Sequence, residues 1–485
     1  MHSRRYFLKA LSLGTATVAL ASCGGGKNKG GSSISGENTI SPTGSSAENS
    51  AKELIIPNLV DTRNTTTDLW IGRQQFDFGL GIMTPTFAYN TADTNLGLLG
   101  PTLLMEKGAT STINYINNMD EVTTAHQHGL HVDGPNDGGP QSSIKPGESR
   151  VNVLEIDQQA GFHWYHPHPH GRTAPQVISG LAGLIIIQDP AEIARLPNLP
   201  REYGVNDIPL VIQDKTFNSN GTIAYDANKM YGKRGYLGDN ILVNGKTSAT
   251  VTTPSGWVRL RVLNGSNARF YERDDSLSLT NNKQFYVIAS DGGLLEKPVA
   301  TTSLPLGPGE RYEIMVQLSA DESIDLFAGP RSIMTIAAKN TAFDNSASML
   351  PAILAQAPTL ATANVVRKRS FELKENMTIN NKQMNMMVID EAINLGDIEQ
   401  WRIFGKGAKH TFHVHGCSFK VISRAGGAPE PWETGWKDTV IVSGKREVEF
   451  LVQFNKRADK TAPYMYHCHM LEHEDRGMMG QFTVT

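Results

Sequence analysis

The sequence predicts an all-β protein that is built from three similar β-sandwich domains. Beyond residue 51, short runs rich in Val, Ile, Leu, Thr and Phe alternate with Gly, Pro, Asn and Asp, a pattern typical of antiparallel sheets rather than helices. A chain of 485 residues is also too long for one ordinary core, so two or three domains are expected.

An internal sequence repeat indicates that the number of domains is three. The segments that start at Lys145, Gly307 and Val442 read Lys-Pro-Gly-Glu-Ser-Arg-Val-Asn-Val-Leu, Gly-Pro-Gly-Glu-Arg-Tyr-Glu-Ile-Met-Val and Val-Ser-Gly-Lys-Arg-Glu-Val-Glu-Phe-Leu. Each places a turn before an alternating strand, so each marks the same point of one repeated unit. Boundaries are predicted in the Pro-containing segment 189–207 and in the Ala/Asn/Thr-rich segment 340–364. The predicted domains are therefore 51–190, 207–340 and 365–485.

Residues 1–23 are predicted to be an export signal. Residues 3–9 (Ser-Arg-Arg-Tyr-Phe-Leu-Lys) form a twin-arginine signature, and the apolar stretch 10–21 is too short for an ordinary membrane-spanning helix. Residues 20–23 (Leu-Ala-Ser-Cys) resemble a bacterial lipobox, which predicts a lipid anchor at Cys23; a plain signal peptide that is cleaved nearby is the alternative. Residues 24–50 are Gly/Ser/Asn-rich and suit a flexible tether. We expect export by the twin-arginine machinery to the periplasm or cell envelope, as a membrane-tethered lipoprotein.

Charge and cysteine content exclude two further classes. The net charge is −3 and charged residues make up only 19% of the chain, so no basic face for nucleic acid is indicated. The cysteines are Cys23, Cys417 and Cys468. With Cys23 acylated and Cys468 bound to metal, no disulfide framework is implied, and Cys417 is expected to be a small buried apolar residue.

Residues 466–478 (Tyr-His-Cys-His-Met-Leu-Glu-His-Glu-Asp-Arg-Gly-Met) predict a copper site. On a strand, Cys468 would point one way and its two neighbouring histidines the other, so one tripeptide can serve two metal centres. Cys468, His473 and Met478 supply the thiolate, imidazole and weak axial thioether of a blue-copper electron-transfer site, which lacks only a second histidine. His410 is the candidate for that position.

Four His-x-His pairs predict a further metal cluster: His126/His128, His166/His168, His413/His415 and His467/His469. Their eight rings are enough for three metal ions and leave His410 and His473 for the Cys468 site. A single pair of this kind can equally be a core or surface feature. Zinc also binds histidine-rich sites, but it favours four tetrahedral ligands and has no use for a long axial methionine. The remaining histidines are expected to support the ligands, to lie on the surface or to belong to the signal: His2, His131, His163 and His170.

The first and third units align around these pairs. His126-Gln-His128-Gly matches His413-Val-His415-Gly, and Tyr165-His166-Pro-His168 matches Tyr466-His467-Cys-His469. Where the third unit has Cys468, Met478 and His410, the first has Pro167, Leu181 and Thr123. Because each outer unit supplies four of the eight histidines, the cluster is predicted at the interface of the first and third domains. Residues 207–340 contain no histidine or cysteine, so the middle domain is predicted to be a structural spacer.

These four segments resemble the copper-binding motifs of the multicopper oxidase family, which includes laccases, bilirubin oxidases and periplasmic cuprous oxidases. The likeness covers roughly residues 51–485 and implies three consecutive cupredoxin-like Greek-key β-sandwiches. It also implies four copper ions. Carried over by position, the type 1 copper ligands are His410, Cys468, His473 and Met478, the type 2 ligands are His126 and His413, and the ligands of the type 3 pair are His128, His166, His168, His415, His467 and His469.

The resemblance implies that electrons taken singly from donors enter at the type 1 copper and pass through Cys468 to its flanking histidines. Four of them reduce O2 to water at the trinuclear cluster. Glu474 and Asp137 match acidic residues that the family places near the cluster, and they are candidate proton donors or relays; solvated acids are the alternative. Asp438 could orient a copper-binding imidazole or lie in a surface turn.

The absence of two features of cuprous oxidases predicts the class of electron donor. Cuprous oxidases of the family carry a long Met/His-rich insertion, and an Asp and a Met just before the first histidine of the third motif. Residues 405–409 (Gly-Lys-Gly-Ala-Lys) provide neither, and four methionines nearby are expected to pack in the core: Met377, Met384, Met386 and Met387. A phenol or aromatic amine is therefore favoured as the reducing substrate beside O2, in a laccase-like monomer. The alternatives are oxidation of Cu(I) in copper tolerance and a non-catalytic copper-binding or structural envelope protein.

Overall fold

The computed structural model describes residues 52–92, 97–229, 231–342 and 349–485. These residues form three consecutive cupredoxin-like Greek-key β-sandwiches, which confirms the predicted fold class. The predicted signal (1–23) and tether (24–50) lie outside the described residues. None of the helices in the described part of the chain is long and apolar enough to cross a membrane.

The first sandwich stacks a sheet in the order β1-β4-β9-β8-β6 on a sheet in the order β3-β2-β5-β7. Its strands are β1 (Leu59–Asp61), β2 (Thr65–Asp77), β3 (Met83–Asn90), β4 (Thr102–Glu106), β5 (Thr110–Asn117), β6 (His126–His128), β7 (Ser149–Glu155), β8 (Gly161–His166) and β9 (Gly183–Gln188). Three short helices belong to this region: α1 (Gly134–Asp137), α2 (Thr173–Ile178) and α3 (Pro190–Arg195). β5 alternates half-buried and buried residues, as expected for a strand with one face on the core.

The second sandwich is organised around one long strand that serves both of its faces. Its strands are β10 (Asp207–Lys215), β11 (Asn240–Val243), β12 (Ala249–Asn264), β13 (Leu277–Leu279), β14 (Phe285–Ser290), β15 (Gly293–Thr301), β16 (Ser303–Leu304), β17 (Arg311–Leu318), β18 (Ser323–Ala328) and β19 (Arg331–Ala342). The first part of β12 pairs with β19, and the part from Gly256 pairs with β17. Leu54 packs into this core and its N–H donates to the Thr250 carbonyl at 2.7 Å, so the first described residues join the second sandwich although the first domain was predicted to start at 51.

The third sandwich consists of two five-stranded sheets, β21-β20-β23-β27-β25 and β22-β29-β28-β24-β26. Its strands are β20 (Val365–Lys374), β21 (Thr378–Ile379), β22 (Glu391–Ile393), β23 (Ile398–Lys406), β24 (His410–Val414), β25 (Phe419–Arg424), β26 (Thr439–Val442), β27 (Val448–Gln453), β28 (Tyr464–Cys468) and β29 (Met479–Val484). Helix α4 (Leu471–Asp475) follows β28. Short 3-10 turns occupy Gly232–Arg234, Arg273–Asp275, Thr280–Asn282, Thr362–Asn364 and Pro431–Glu433.

The sheets are mixed, so the expectation of antiparallel sheets is wrong for part of each sandwich. β2 runs parallel to β5, β10 to β12 and β20 to β23. These partners are distant in sequence, and the connections between them cross from one sheet to the other instead of forming a hairpin. Residue alternation reports which face of a strand is buried but not the direction of its neighbour.

The three repeated turns are present. The N–H of Glu148 donates to the Lys145 carbonyl at 2.9 Å, and the N–H of Glu310 donates to the Gly307 carbonyl at 3.0 Å. In the third sandwich the bond runs from Arg446 to Ser443 at 3.0 Å, one residue later than the alignment predicts. The strand that follows each turn is β7, β17 or β27, so the repeat marks equivalent strands.

The outer sandwiches hold their histidines in the same register. β6 and β8 are antiparallel and pair His126 with His166, and β24 and β28 are antiparallel and pair His413 with His467. The two strand pairs are therefore structural equivalents, as the alignment of the first and third units predicts.

Two contacts fix the outer sandwiches against each other. Ala174 and Val177 of α2 pack on Leu471 of α4. The Asp475 carboxylate at the end of α4 accepts hydrogen bonds from the backbone N–H groups of Thr173 at 2.8 Å and Ala174 at 2.9 Å. Because α4 follows β28 directly, these contacts also hold the histidines of β28 against those of the first sandwich.

Candidate metal centre

One buried pocket, which we call the Cys468 pocket, is formed by His410, Cys468 and His473, and Met478 belongs to the same core cluster as Cys468. The Cys468 Sγ lies 3.5 Å from the His410 Nδ1 and 3.6 Å from the His473 Nδ1, and the two nitrogens are 3.3 Å apart. A point in the middle of this triangle is about 2 Å from all three atoms, which is bonding distance for an imidazole and slightly short for a thiolate. Three such donors in a trigonal arrangement are the set that binds a blue-copper ion.

Local structure explains how separate segments reach this pocket. His410 begins β24 and Cys468 ends β28, and these strands are neighbours in one sheet. The tight turn around α4 brings back His473, whose N–H donates to the Met470 carbonyl at 2.8 Å. Met478 is fully buried, and its carbonyl accepts from the Cys468 N–H at 3.0 Å, so the backbone holds it beside the cysteine.

A second buried pocket, the histidine pocket, gathers the eight rings of the four His-x-His pairs, all at most 1% exposed. Rings from the two outer sandwiches stack on each other across the interface. His126 stacks on His415 with centroids 3.8 Å apart, and His128 stacks on His413 at 3.7 Å. This pocket is therefore closed only when both sandwiches are in place, as the sequence predicts.

Two triples of rings lie close together in the histidine pocket, and nitrogen atoms converge in one of them. The His467 Nε2 lies 3.2 Å from the Nε2 atoms of both His168 and His415. A second triple has ring centroids 5.0 to 5.6 Å apart: His128, His166 and His469. Each triple combines rings of the first and third sandwiches. The nitrogens of the first triple face one point, which is a metal-binding arrangement.

Burial holds imidazoles of both pockets in the neutral form that binds metal. Burial lowers the pKa of His410 to about 4 and that of His473 to about 3, so both rings are neutral at pH 7. Burial also lowers the pKa of six cluster rings well below the ordinary value: His128, His166, His168, His415, His467 and His469. Burial raises the pKa of Cys468 to about 12, and a coordinated cation would lower it.

Unpartnered ring atoms test whether the pockets fit metal ions. Among the described residues, buried nitrogens without a hydrogen-bond partner include both nitrogens of His469 and the Nε2 atoms of His126 and His413. Leaving such an atom buried and unpaired costs about 1–3 kcal/mol. A copper ion binds one nitrogen of a ring, so bound copper would give a partner to one His469 nitrogen and to the Nε2 atoms of His126 and His413, and the donor set fits the metal that the sequence predicts.

Glycine follows two of the histidine pairs for a steric reason. Gly129 has φ 88°, and a Cβ there would lie 2.7 Å from both the Arg311 Nη2 and the Asp438 Oδ2. Gly416 has φ 69°, and its Cβ would lie 2.5 Å from the Tyr464 ring. The His-x-His-Gly pattern therefore combines a metal-binding pair with a left-handed residue that lets other groups approach closely.

Three carboxylates face the histidine pocket, and each contacts one ring from either outer sandwich. The Asp137 Oδ2 lies 2.7 Å from the His415 Nδ1 and 3.4 Å from the His126 Nδ1. The Glu474 carboxylate oxygens each lie 3.3 Å from an Nδ1 atom, that of His168 or His467. Both acids are fully buried, and burial raises the pKa of Glu474 well above its usual range.

Asp438 is the third carboxylate, and it orients imidazoles instead of lying on the surface. Its Oδ1 is 3.1 Å from the His128 Nε2, and its backbone carbonyl is 2.9 Å from the His413 Nδ1. Arg311 of the second sandwich donates to both carboxylate oxygens at 2.6 Å. Although burial acts to raise it, Arg311 and His128 hold the pKa of Asp438 well below its usual range, so Asp438 is charged.

The middle sandwich therefore does more than separate the other two. Arg311 also lies 3.3 Å from the His163 Nδ1, and Asp291 accepts from the backbone N–H of Asp438 at 3.2 Å. The sequence gives no warning of these contacts, because 127 residues separate Arg311 from Asp438. The only sign in the sequence is the charged pair Glu310-Arg311, which ends a turn and leads into β17. The first residues of β17 are all buried.

The other predicted residues take ordinary places. The His131 Nε2 lies 2.9 Å from the Ser418 hydroxyl, and His170 is exposed. Cys417 is buried in the third core, as predicted. Met377 packs in that core, whereas Met387 is 90% exposed, so the expectation that all four methionines serve packing is wrong for Met387.

We expect Asp438→Asn to lower copper affinity. The amide removes the charge that pairs with Arg311 and that holds the His128 ring, and losing such an outer partner typically weakens metal binding roughly tenfold to a hundredfold. Copper titration of metal-depleted protein against a competing chelator measures the change. The control is Asp321→Asn, the same substitution at an exposed position of the second sandwich, and equal affinity of both variants would exclude Asp438 as an orienting group.

Comparison with known proteins agrees with this geometry. Family models described as multicopper oxidase match residues 84–192 and 355–485. "Multicopper oxidase mco" of Staphylococcus aureus is 41% identical over 82% of this chain and 84% of the relative. "Cell division protein FtsP" of Xenorhabdus nematophila is 37% identical over 80% of this chain and 83% of the relative.

Solved structures give the same result. The laccase-like multicopper oxidase CueO from the lignin-degrading bacterium Ochrobactrum sp. superposes with a TM-score of 0.82 at 35% identity, covering 89% of this chain and 100% of that chain. The laccase of Pediococcus acidilactici superposes with a TM-score of 0.81 at 33% identity, covering 89% and 93%. Its ligand segments, its fold and these relatives show that the chain belongs to the multicopper oxidase family.

Proposed function

We propose that this protein is a laccase-like multicopper oxidase that binds four copper ions and couples the one-electron oxidation of four phenol or aromatic amine molecules to the reduction of O2 to water. Each donor gives up one electron and one proton, so four electrons and four protons convert one O2 into two water molecules. Family membership supports oxidoreductase chemistry and copper binding in general.

The observation that carries the proposal is the position of the tripeptide 467–469 between the two pockets. The Cys468 side chain belongs to the Cys468 pocket, and the rings of His467 and His469 belong to the histidine pocket. Covalent bonds therefore join the two pockets through one residue. Bound copper would supply a one-electron acceptor in the first pocket and a four-electron centre for O2 in the second.

The ligands would be divided as the family resemblance implies. His410, Cys468, His473 and Met478 would hold the type 1 copper, and His126 and His413 the type 2 copper. The type 3 pair would be held by two triples, His168 with His415 and His467, and His128 with His166 and His469. The stacking of first-sandwich rings on third-sandwich rings supports a cluster that both sandwiches share.

Glu474 and Asp137 would handle the protons that O2 reduction consumes. A buried carboxyl whose pKa is raised can keep a proton at neutral pH and release it when charge develops nearby. Glu474 has this property and lies 3.3 Å from two copper-binding rings. Asp137 contacts the opposite pair of rings, which suits it to orient them and to relay protons on that side.

The chain around His410 supports an organic donor over Cu(I). Residues 405–409 contain no acidic residue and no methionine. Cu(I) prefers soft thioether ligands. Met387 is exposed and belongs to a segment whose backbone contacts Gly477 and Gln481.

Steady-state assays with a phenol and with Cu(I), each with and without added Cu(II), test the donor. We expect phenol oxidation that does not depend on added Cu(II). Turnover with Cu(I) that exceeds phenol turnover, or phenol turnover that requires Cu(II), would overturn the laccase-like proposal and favour a cuprous oxidase.

A structural role in the envelope is the second candidate, because relatives named for cell division cover most of the chain. All twelve predicted copper ligands of this chain are present and buried, which supports the oxidase. A purified protein that binds no copper, or that binds copper without reducing O2 with any donor, would favour the second candidate.

We also propose export by the twin-arginine route and anchoring at Cys23, in the periplasm or cell envelope. Residues 3–9 and 20–23 support this proposal. We expect the protein in the membrane fraction and the Cys23→Ala variant in the soluble fraction of the same compartment. Equal release of both forms would favour a plain cleaved signal.

A further inference from the structure

A cleft of about 930 Å³ lies beside the Cys468 pocket, where the second and third sandwiches meet. Segments 233–237 and 268–275 form one wall, and segments 407–409 and 443–446 form the other. We call this feature the basic cleft. Leu237, Phe270 and Met470 contribute apolar side chains to its lining, which suit an aromatic ring.

The basic cleft adjoins the Cys468 pocket through residues that neighbour its ligands. Lys409 lines it and directly precedes His410. Met470 lines it as well, and its carbonyl accepts from the His473 N–H at 2.8 Å. A small molecule bound here therefore lies next to two of the proposed type 1 ligands.

Seven side chains that line the cleft are cationic, and one, Asp275, is acidic. Four of the seven have carboxylate partners: Lys233 pairs with Glu375, Lys409 and Arg446 with Glu272, and Arg269 with Asp214. These pairs fix the cationic groups at the wall but cancel much of their charge.

The other three cations carry the excess charge: Arg234, Arg273 and Lys445. Each is exposed, and none has a carboxylate within ion-pair distance among the described residues. The chain as a whole has a net charge of −3, so this local positive charge is opposite in sign to that of the protein. A concave site with one sign of charge raises the local concentration of ligands of the other sign.

We propose that the basic cleft binds donors that carry a carboxylate or sulfonate on an aromatic ring, and that it disfavours cations, including Cu(I). The apolar patch accepts the ring, and the three free cations accept the anionic group. The Lys409 Nζ lies 5.1 Å from the centre of the Phe270 ring, so a cationic group and an apolar ring lie side by side in the cleft. This inference rests on the proposed oxidase function and specifies its substrate class.

Three donors with the same phenol ring and different charge test the specificity: anionic syringate, neutral syringol, and a cationic derivative that carries an ethylammonium group in place of the carboxylate. We expect kcat/KM at low salt to rank in that order, with added salt reducing the differences. In Arg273→Gln/Lys445→Gln, the ratio of kcat/KM for syringate to that for syringol should fall roughly fivefold to tenfold. The control is Arg331→Gln/Lys339→Gln, which removes the same two charges from exposed positions of β19 and should leave the ratio unchanged.

A binding measurement separates this proposal from the proposed function. Benzenesulfonate cannot be oxidised as a phenol is, so calorimetry with metal-depleted protein reports the cleft alone. We expect binding that is weakened in the Arg273/Lys445 variant and retained in the Arg331/Lys339 variant. Binding without oxidation of any donor would support the cleft and overturn the oxidase proposal.

Two results would overturn the basic cleft. One is equal kcat/KM for the three donors in an active enzyme, with a ratio that the Arg273/Lys445 variant does not change. The other is benzenesulfonate binding that is absent or identical in both double variants. In either case the oxidase proposal stands, since it depends on the two metal pockets and not on the cleft.

Discussion

Cys468→Ser is expected to abolish the blue colour of the copper-loaded protein and to reduce O2 consumption to the background rate. The Cys468 sulfur is the only thiolate in the Cys468 pocket, and a serine hydroxyl does not ionise to replace it. His410 and His473 remain 3.3 Å apart and can still bind a metal ion, so colour and activity should be lost even where copper is retained. Optical spectra and oxygen-electrode assays of the same sample measure both effects.

Cys417→Ser provides a matched control for this prediction. Cys417 is a second buried thiol in the same core, and its only described hydrogen-bond contact is the Val414 carbonyl at 4.0 Å. The control makes the same chemical change in the same sandwich and should keep the colour and the activity. Blue colour in the Cys468 variant, or its loss in both variants, would contradict the assignment of Cys468.

The second large effect is expected for Glu474→Gln. The amide keeps the size of the side chain but cannot take up and release the proton, so turnover should fall roughly a hundredfold or more. The Cys468 pocket does not include the Glu474 side chain, so the blue colour should persist and its reduction by the donor should stay fast. Stopped-flow reduction under nitrogen, followed by mixing with O2, separates the two halves of the reaction.

Glu472→Gln is the control within the same helix. Glu472 is buried like Glu474, but it accepts from Asn267 at 2.8 Å and from the Tyr236 N–H at 3.1 Å, and it contacts no cluster histidine in the described structure. We expect the control to lose stability, which thermal unfolding measures, and to keep the reoxidation rate of the parent protein. If Glu474→Gln reoxidises as fast as Glu472→Gln, Glu474 is not in the proton path.

Sequence periodicity and spacing predicted the parts of the site that lie on neighbouring strands. His126 and His128 lie on β6, His413 lies on β24 with His415 just after its end, and equivalent registers with His166 and His467 follow from the repeat. The same logic could not predict that β2 and β5 are parallel, because alternation says nothing about strand direction. Nor could it place Leu54 in the second core, which depends on long-range contacts such as the hydrogen bond to Thr250.

Groups that support the ligands were harder to predict than the ligands. Arg311 reaches Asp438 from another sandwich, and the contact depends on how two sandwiches are docked. The basic cleft has the same origin, since Arg273 and Lys445 lie in different sandwiches and form one feature only in the folded chain. A metal ligand must be one of a few residue types at a set spacing, whereas many side chains can serve as a supporting group.

A copper count together with an optical spectrum of the purified, copper-loaded protein tests the central claim most directly. The account predicts four copper ions per chain and an intense blue absorption that arises from the Cys468 thiolate. A protein that binds fewer than four copper ions at saturation, or that binds them without the blue absorption, would contradict the assignment of the two pockets.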